Sequence, residues 1–284
     1  MSSEHTLYIV ATPIGNRDDL SSRAIDVLQH VDRIYAEDTR HSLPLLRHHG
    51  IDTRVWALHD HNEESQIQMV LEHLRSGASA ALISDAGTPL ISDPGFRLVR
   101  ACQREAIRVS PIPGASALTA ALSVCGLPTD RFQFVGFPPA RSSARKNWLL
   151  PLASLSHTLI IYESPHRIID CIADLVSVFG GDRVLTVARE LTKRFETLLH
   201  GTAEEVLARI KADPNQQRGE FVLVVSGYEA DDADASFSSA ADLDKTLSVL
   251  LEHLPVKTVA RCAAELCGVT KKQAYDRALK LQGR

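Results

Sequence analysis

Short apolar runs that alternate with amphipathic segments occupy the first 126 residues, and this alternation limits the fold more than any other feature. The apolar runs have the length of strands and cover residues 7–11, 33–36, 55–58, 80–83 and 107–109. The segments between them repeat apolar residues at helical spacing, as Leu20, Ala24 and Val27 do. Strands that alternate with helices predict an α/β fold whose mainly parallel sheet is covered on both faces.

A cluster of proline and glycine residues between Leu127 and Pro139 interrupts this rhythm and predicts a domain boundary at residue 127. The second half has predicted helices at 167–179 and 203–211, and predicted strands at 132–135, 158–162, 184–187, 195–199 and 221–225. The closely spaced strands around Phe195 predict a mixed sheet in this half.

The composition changes after Gly227. Residues 229–241 are acidic and rich in serine, which predicts a linker. Three short helical patterns follow, at 243–254, 256–266 and 271–281. We therefore expect two α/β domains, 1–126 and 127–228, and a small helical module at 242–284.

Composition and charge exclude several classes of protein. The net charge is −4, so any contact with nucleic acid must come from local basic patches. The five cysteines are odd in number and lack C-x-x-C spacing, which argues against disulfides and structural zinc. The polar first residues and the absence of an apolar run of membrane-spanning length predict a cytoplasmic protein with no membrane contact.

The usual phosphate and nucleophile motifs are also absent: the sequence contains no G-x-G-x-x-G after the first strand, no P-loop and no G-x-S-x-G. His59-Asp60-His61 is the best metal candidate, because residues i and i+2 at a strand end face the same way. A third ligand at fixed spacing is missing, and Asp60 or Asn62 can instead cap the next helix. We predict no metal.

Turn-forming residues are concentrated at the predicted carboxyl ends of strands, where open α/β sheets bind their ligands. Three such loops are 12–16, 84–95 and 111–117. In the second loop we expect Asp93 to cap a helix that Pro94 opens, which leaves Asp85 available for a ligand. Charged residues follow two strands of the second half, at 162–167 and 188–193, and predict a shared cleft.

Taken in order, these stretches resemble the ribosomal RNA small subunit methyltransferase I family, which has the tetrapyrrole methylase fold. The resemblance spans about residues 7–228 and the helical tail, and its motifs are Tyr8–Asn16, Ala36–Arg40, Leu58–Asn62, Ser84–Gly95, Tyr162–Arg167 and Ala188–Lys193. Ala11 departs from the first motif, where proline is expected.

The resemblance implies methylation of a cytidine ribose 2′-hydroxyl in small-subunit (16S) ribosomal RNA, with S-adenosyl-L-methionine as methyl donor. It also implies a cofactor cleft between the two α/β domains and a homodimer. By match to the cofactor loops of the fold, the residues expected to line that cleft are Asp85, Ala86, Gly87, Thr88, Ala115, Ser116, Tyr162 and Leu191. Ile14 and Gly15 are expected near the methyl group.

Methyl transfer to a hydroxyl needs alignment and a base for a weakly acidic proton. Glu190 is the first candidate for this base, and Asp60 with His59 or His61 is the second. Lys193 or Arg189 can stabilise the developing alkoxide.

Two basic regions are candidates for RNA binding. Arg141, Arg145 and Lys146 lie in a predicted loop that either holds phosphates or is merely solvated. Residues 255–284 carry seven basic and two acidic side chains and resemble a helix-turn-helix with a Thr270–Gln273 capping box. The second helix of this module presents its basic residues for RNA docking or, alternatively, for an interface; they are Lys271, Lys272, Arg277 and Lys280.

Two other functions stay open at this point. A small-molecule methylase of the same fold, acting on a tetrapyrrole, needs an apolar or aromatic cleft and has no use for a basic helical tail. A non-enzymatic RNA-binding or nucleotide-sensing adaptor needs no working cofactor site, and calorimetry with S-adenosylmethionine distinguishes it.

Overall fold

The computed structural model describes residues 5–59, 63–229, 243–267 and 269–281. The chain divides into two compact units, one ending at Gly227 and the other beginning at Tyr228. The predicted linker lies almost entirely outside the described residues, as do Asp60, His61, Gly268 and Arg284. Within the described part of the chain, every helix is too short or too polar to cross a membrane.

The first sheet of the larger unit is parallel throughout, as predicted. Its strands, in spatial order β3-β2-β4-β1-β5, are β1 (Thr6–Val10), β2 (Arg33–Ala36), β3 (Val55–Ala57), β4 (Ala80–Ile83) and β5 (Arg108–Ile112). Apolar clusters cover both faces of this sheet, one around Leu28 and Ile34 and the other around Leu71 and Leu98. The central strands β4 and β1 are buried because helices lie on either side.

The helices of this half are α1 (Ser22–His30), α2 (Thr39–His48), α3 (Glu63–Arg75), α4 (Phe96–Arg104) and α5 (Ala117–Val124). Helix α2 was not predicted, because Pro44 within it lacks an N–H group and normally interrupts a helix. Its start carries a usable signal, since the Asp38 side chain accepts the Arg40 N–H at 2.8 Å. The prediction that Asp93 caps α4 is wrong: Gly95 occupies that position and makes no side-chain bond.

The second sheet is mixed, as predicted, with the order β6-β7-β10-β8-β9. Its strands are β6 (Phe132–Gly136), β7 (Thr158–Glu163), β8 (Val184–Arg189), β9 (Thr197–Thr202) and β10 (Phe221–Val225). Strand β10 runs antiparallel to both of its neighbours, β7 and β8. The helices of this half are α6 (Ser142–Leu149), α7 (Ile168–Phe179) and α8 (Ala203–Ala212).

The predicted basic loop at 141–146 is wrong, because helix α6 begins at Ser142. Arg145 lies on the inner face of α6 and is 1% exposed. Its Nε donates to Asp174 Oδ2 at 2.8 Å, and its guanidinium also reaches the Pro139 and Ala140 carbonyls. Arg145 is therefore an interior ion-pair partner and not an RNA-binding residue.

An apolar layer joins the two halves of the larger unit. Ala121 and Leu122 of α5 pack with Val222 and Val224 of β10, and Ile14 belongs to the same buried cluster. Because burial of apolar area stabilises at about 25 cal/mol per Å², this layer fixes the first sheet against the second. The strand ends of both sheets are thereby held beside one another.

The smaller unit is helical. The helices α9 (243–251), α10 (Val256–Cys267) and α11 (Lys271–Leu281) enclose a core of leucine, valine and alanine. The predicted capping box is confirmed: the Gln273 N–H donates to Thr270 Oγ1 at 3.3 Å, and the Thr270 N–H donates to Gln273 Oε1 at 2.9 Å. Arg277 of α11 forms two bonds to Asp244, at 2.6 and 2.5 Å.

Candidate functional site

Three loops meet at the carboxyl ends of β4, β1 and β5, which are neighbours in the first sheet. The Thr12 N–H donates to the Gly87 carbonyl at 2.8 Å, and the Gly87 N–H returns a bond of 3.0 Å. Thr88 Oγ1 donates to the Ala115 carbonyl at 3.1 Å, which ties in the third loop. The three loops therefore form one connected wall of backbone and small side chains.

Two glycines are required by this wall. Gly87 has a φ of +82°, a conformation in which L side chains are strained. At Gly114, an added Cβ would lie 2.9 Å from the Ala11 Cβ, so only glycine lets these two loops approach. This is the position at which Ala11 departs from the first motif.

The second sheet supplies the opposite wall. Phe221 of β10 pairs with Glu163 of β7 on one side and with Arg189 of β8 on the other. Because β10 is antiparallel, its amino end lies beside the carboxyl ends of its neighbours. The rule that ligands bind at carboxyl ends therefore missed Glu220, Phe221 and Val222.

A cleft of about 470 Å³ lies between these walls. Most of the predicted cofactor residues line it, namely Ile14, Asp85, Ala86, Gly87, Thr88, Ser116, Tyr162 and Leu191. Gly15 instead lines an adjoining cavity, and Ala115 lies behind the wall with its carbonyl bound to Thr88. The lining residues not predicted include Glu37, Ile91, Ser92, Asp93 and Phe137. Glu37 follows β2, so its place at a strand end was the available signal.

The cleft carries carboxylates and no Lys or Arg among its described lining residues. The acidic residues are Glu37, Asp85, Asp93, Glu163 and Glu220. The remaining wall is largely apolar, with Ile14, Leu191, Phe221 and Val222 among its members. Such a lining favours a cationic ligand with an apolar or aromatic body, and it disfavours phosphate.

Tyr162 lies at the end of β7 with its ring packed against two phenylalanines. The ring centroids of Phe134 and Phe137 are 4.7 and 5.6 Å away, both edge-on. Burial raises the pKa of the Tyr162 hydroxyl, so it remains protonated at neutral pH. The aromatic rings therefore form a rigid neutral side of an otherwise acidic cleft.

Arg189 does not reach the cleft. Its Nε donates to the Arg218 carbonyl at 2.6 Å and its Nη1 donates to the Phe195 carbonyl at 2.9 Å, and the residue is 7% exposed. The predicted alkoxide-stabilising role of Arg189 is wrong, because its guanidinium is committed to two chain segments beside β8.

Glu190, Lys193 and Glu220 form a compact ionic cluster at the rim. Lys193 Nζ lies 2.9 Å from Glu190 Oε1 and 2.8 Å from Glu220 Oε2. Burial alone would raise the pKa of Glu190, but the Lys193 ammonium and the Glu220 N–H outweigh it and hold that pKa below its ordinary value. Burial likewise opposes the charge of Lys193, and the two carboxylates outweigh it and raise the pKa of the ammonium. Glu190 and Lys193 are thus both charged at neutral pH.

The loops on both walls contain left-handed residues that are not glycine. Leu90 and Ser92 have φ values of 73° and 71° in the loop after β4, and Glu190 and Thr192 have 51° and 64° after β8. Each such residue costs about 1–3 kcal/mol, and such residues persist where the surroundings enforce them. The backbone of the two loops beside the cleft is therefore held in a constrained conformation.

A second cavity of about 270 Å³ adjoins the cleft. Ile14, Asp85, Ala86 and Glu220 line both spaces. The other lining residues are Pro13, Gly15, Arg17, His41, Ser42, Pro44, Leu45, Ser84 and Lys193. At Gly15, an added Cβ would overlap the Lys193 side chain, so the lysine stem lies directly on the backbone of the first loop.

The remaining predicted residues lie elsewhere. Asp60 and His61 are outside the described residues, and the described part of the chain holds no group of three potential metal ligands. Arg141 is exposed at the start of α6, and Lys146 lies 3.5 Å from Asp174. In the smaller unit, the basic side chains of α11 are all on exposed residues.

Comparison with known proteins decides the family. Residues 6–207 match the family described as Tetrapyrrole (Corrin/Porphyrin) Methylases, and residues 238–282 match the RsmI C-terminal HTH domain. The chain is 49% identical over 282 residues to Ribosomal RNA small subunit methyltransferase I of Escherichia coli O157:H7, covering 99% of this chain and 97% of that protein. This chain belongs to the ribosomal RNA small subunit methyltransferase I family.

Further relatives agree with this membership. Ribosomal RNA small subunit methyltransferase I of Xylella fastidiosa strain Temecula1 is 51% identical over 275 residues, covering 97% of this chain and 99% of that protein. The family resemblance inferred from the sequence motifs is therefore confirmed.

Solved structures support the fold. Diphthine synthase superposes with a TM-score of 0.61 at 17% identity, covering 78% of this chain and 90% of that one. Uroporphyrin-III C-methyl transferase from Thermus thermophilus, complexed with S-adenyl homocysteine, gives 0.53 at 20% identity, covering 78% and 97%. The predicted tetrapyrrole methylase fold is confirmed for the larger unit, to which the family adds its helical domain.

Proposed function

We propose that this chain transfers the methyl group of S-adenosylmethionine to the ribose 2′-hydroxyl of a cytidine in small-subunit ribosomal RNA. Membership of the family supports the coarser part of this statement, an S-adenosylmethionine-dependent methyltransferase of small-subunit ribosomal RNA. The ribose hydroxyl and the cytidine are the finer part and come from the resemblance in the sequence. We also propose a cytoplasmic location, because the proposed substrate is ribosomal RNA.

The acidic cleft is the observation that carries the proposal. S-adenosylmethionine has a sulfonium and an α-ammonium, and its adenine ring is flat and apolar on its faces. The carboxylates of Asp85, Asp93 and Glu37 suit the two cations, and Leu191, Phe221 and Val222 suit the ring. A dinucleotide or a nucleoside triphosphate would need cations that the described lining does not provide.

When bound, S-adenosylmethionine supplies a methyl group already activated by the positive sulfur. The chain must align the acceptor with that carbon, exclude water and take up the hydroxyl proton. The wall formed by Thr12, Gly87 and Thr88 is rigid enough for alignment, because its loops are bonded to one another. Lys193, lying on Gly15 beside Ile14, is placed to stabilise the developing alkoxide.

The direct test uses small ribosomal subunits prepared without this methylation. We expect incubation with labelled S-adenosylmethionine to label the RNA, and nuclease mapping to place the label on a 2′-O-methylcytidine. A label on a base, or on an added tetrapyrrole and not on RNA, would overturn the proposal and favour a small-molecule methylase. Calorimetry that shows no S-adenosylmethionine binding would favour the adaptor.

Glu190 is our sequence-derived candidate for the base, and Glu190→Gln tests it. The lowered pKa of this carboxylate and its bonds to Lys193 and the Glu220 N–H make it a weak proton acceptor. We expect Glu190→Gln to reduce turnover through misplacement of Lys193. If the folded, cofactor-bound variant keeps wild-type turnover, Glu190 is not the base.

We propose that α11 docks on ribosomal RNA. Lys271, Lys272 and Lys280 are exposed, whereas Arg277 is bound to Asp244 and contributes less. Replacing Lys271 and Lys272 by Gln should weaken binding to the small subunit, with a shallower dependence on salt, because fewer phosphates are neutralised. Cofactor affinity by calorimetry should be unchanged; a loss of both affinities would contradict a docking role.

We also propose a homodimer. Strand β9 is at an edge of the second sheet and carries exposed Leu198, with exposed Phe195 close before it. Exposed apolar edges of this kind commonly pair with another chain. Sedimentation should give twice the mass of the chain, and Leu198→Lys should shift the species toward the monomer. A wild-type protein that sediments as a monomer at micromolar concentration would refute this.

A further inference from the structure

The second cavity adjoins the cleft beside the loop that follows β1. It shares Ile14, Asp85 and Ala86 with the cleft, so a molecule in one space touches the same residues as a molecule in the other. Part of its wall comes from α2, the helix between β2 and β3, through His41, Ser42, Pro44 and Leu45. A ligand entering over α2 therefore reaches the side of the cleft that faces the loop after β1.

The size of the second cavity limits its occupant. A volume of about 270 Å³ is roughly that of nine liquid water molecules. One ribose with its hydroxyls, or one pyrimidine base, fits a space of this size. A single part of one nucleotide is therefore a suitable occupant.

The charges of the two spaces differ. The cleft has no Lys or Arg among its described lining residues, whereas Arg17 and Lys193 line the second cavity. Arg40 is exposed one residue before His41 on the same helix. A phosphodiester beside a bound ribose therefore finds two cations here, next to Asp85 and Glu220, whereas the described lining of the cleft offers carboxylates alone.

His41 and Asp85 form a pair on the wall of the second cavity. His41 Nδ1 lies 3.2 Å from Asp85 Oδ2, and the Asp38 N–H donates to Asp85 Oδ1 at 3.0 Å. The carboxylate is thereby held at both oxygens. A carboxylate at Nδ1 favours the tautomer that carries its proton there, which leaves the Nε2 lone pair as a proton acceptor.

We propose that the second cavity receives the ribose of the target nucleotide and that His41, oriented by Asp85, accepts the proton of its 2′-hydroxyl. This inference rests on the proposed function and names the residue that deprotonates the acceptor. His41 replaces Glu190 in that role, because Glu190 lines neither space and its carboxylate is bound by Lys193 and Glu220.

The step balances as a displacement. The 2′-oxygen forms a bond to the methyl carbon while the carbon–sulfur bond breaks, and the sulfonium departs as a neutral thioether. The hydroxyl proton passes to Nε2 of His41, where Asp85 stabilises the imidazolium. Solvent then removes this proton from the ring, whose side chain is 71% exposed.

Charged groups from several elements line the cavity together with His41. Asp85 follows β4, Arg17 follows the first loop, and Lys193 and Glu220 come from the second half. On its own helix, Asp38 and Arg40 form a mutual ion pair. The carboxylates of Asp85 and Glu220 and the cations of Arg17 and Lys193 therefore share the cavity with this ring.

The first test compares His41→Gln with His48→Gln in the full-length protein. His48 lies two turns further along α2 on the same face, is exposed and lines neither space. With undermethylated small subunits, we expect His41→Gln to lower the single-turnover methylation rate roughly 100-fold. His48→Gln should keep the wild-type rate.

The second test fills the cavity. Pro44→Trp places a bulky ring on its α2 wall and removes a proline from the helix, so folding should not suffer. We expect methylation to be lost, while cofactor affinity measured by calorimetry stays within about twofold of wild type. His48→Trp, the matched control, should methylate normally.

A third measurement is independent of activity. In ¹⁵N NMR spectra, the His41 ring, assigned from its loss in His41→Gln, should show the proton on Nδ1. Asp85→Asn should shift it toward the other tautomer, because the carboxylate that holds this proton is gone.

The outcomes separate this inference from the proposed function. If wild-type protein labels no ribosomal RNA, the proposed function fails. If wild type labels RNA and His41→Gln matches it in single-turnover rate, the proton-acceptor role of His41 is overturned. If Pro44→Trp methylates normally, or the NMR spectra show the proton on Nε2, the cavity assignment or the tautomer is wrong.

Discussion

The two sheets of the larger unit contribute to the cleft in opposite ways. The parallel sheet gives it backbone: the loops after β1, β4 and β5 are bonded to one another and carry mainly small side chains. The mixed sheet gives it side chains, among them Tyr162, Leu191 and Phe221. The charged residues at the ends of β7 and β8 mostly form ion pairs with one another, as Arg167 does with Glu163 and Lys193 with Glu190.

This difference shows that a charged side chain near the cleft or in a basic stretch can stabilise the fold and need not bind a ligand. Arg189 and Arg145 are buried and fasten chain segments, although each was a candidate for contact with a ligand or RNA. A loop of glycine, threonine and alanine leaves room for a ligand and offers backbone groups to it. In this fold the small residues are therefore the better indicator of a binding surface than the charged ones.

The largest effect should come from removing a fastening charge in the mixed half. Arg145→Ala leaves the Asp174 carboxylate buried without its main partner, which costs about 3–5 kcal/mol of unfolding free energy. Chemical denaturation measures this loss. Arg141→Ala, at an exposed position four residues earlier, should change stability by less than about 0.5 kcal/mol. Equal stability of the two variants would contradict the stabilising role of Arg145.

Lys193 tests whether the mixed half also supplies a charge to the chemistry. Lys193→Met keeps the stem that lies on Gly15 and removes the ammonium, so we expect methylation to fall about 10²- to 10³-fold in the single-turnover rate. Cofactor affinity should be unaffected, since Lys193 lines the second cavity and not the cleft. A variant with a normal rate but weak cofactor binding would place the lysine in the cofactor site instead.

The parallel half is tested by a backbone change. Gly87→Ala puts a side chain at a φ of +82°, beside Ile14, and should weaken cofactor binding by about 1–3 kcal/mol, or ~5- to 150-fold, as the loop leaves its conformation. Gly126→Ala is the matched control, because its φ is +70° with open space around it. Gly126→Ala should lose stability and keep its cofactor affinity, measured by calorimetry. If Gly87→Ala binds the cofactor as tightly as Gly126→Ala does, the Gly87 loop is not part of the binding wall.

The sequence was a good guide wherever one local signal decided the structure. Strands β2, β4 and β10 have the predicted bounds, because each is an apolar run between turn residues. The Thr270–Gln273 capping box forms as expected from its spacing. The loop residues of the cleft also follow from their place at the carboxyl ends of parallel strands.

The rest depended on tertiary structure. Nothing local to Phe221 or Val222 shows that an antiparallel strand brings its amino end to the cleft. Helix α2 could not be predicted because it contains Pro44, and the position of His41 at the second cavity was therefore missed as well. The inward direction of Arg145 is set by Asp174, which lies 29 residues away on another helix.

The left-handed backbone of Leu90, Ser92, Glu190 and Thr192 has a consequence for laboratory evolution. Selection for heat resistance alone should favour glycine or asparagine at these positions, since either relieves an unfavourable conformation. The more thermostable variants recovered in this way should have a lower turnover rate, because the replaced side chains lie in the loops beside the cleft. A library screened for both properties should therefore gain its tolerance of heat from other parts of the chain.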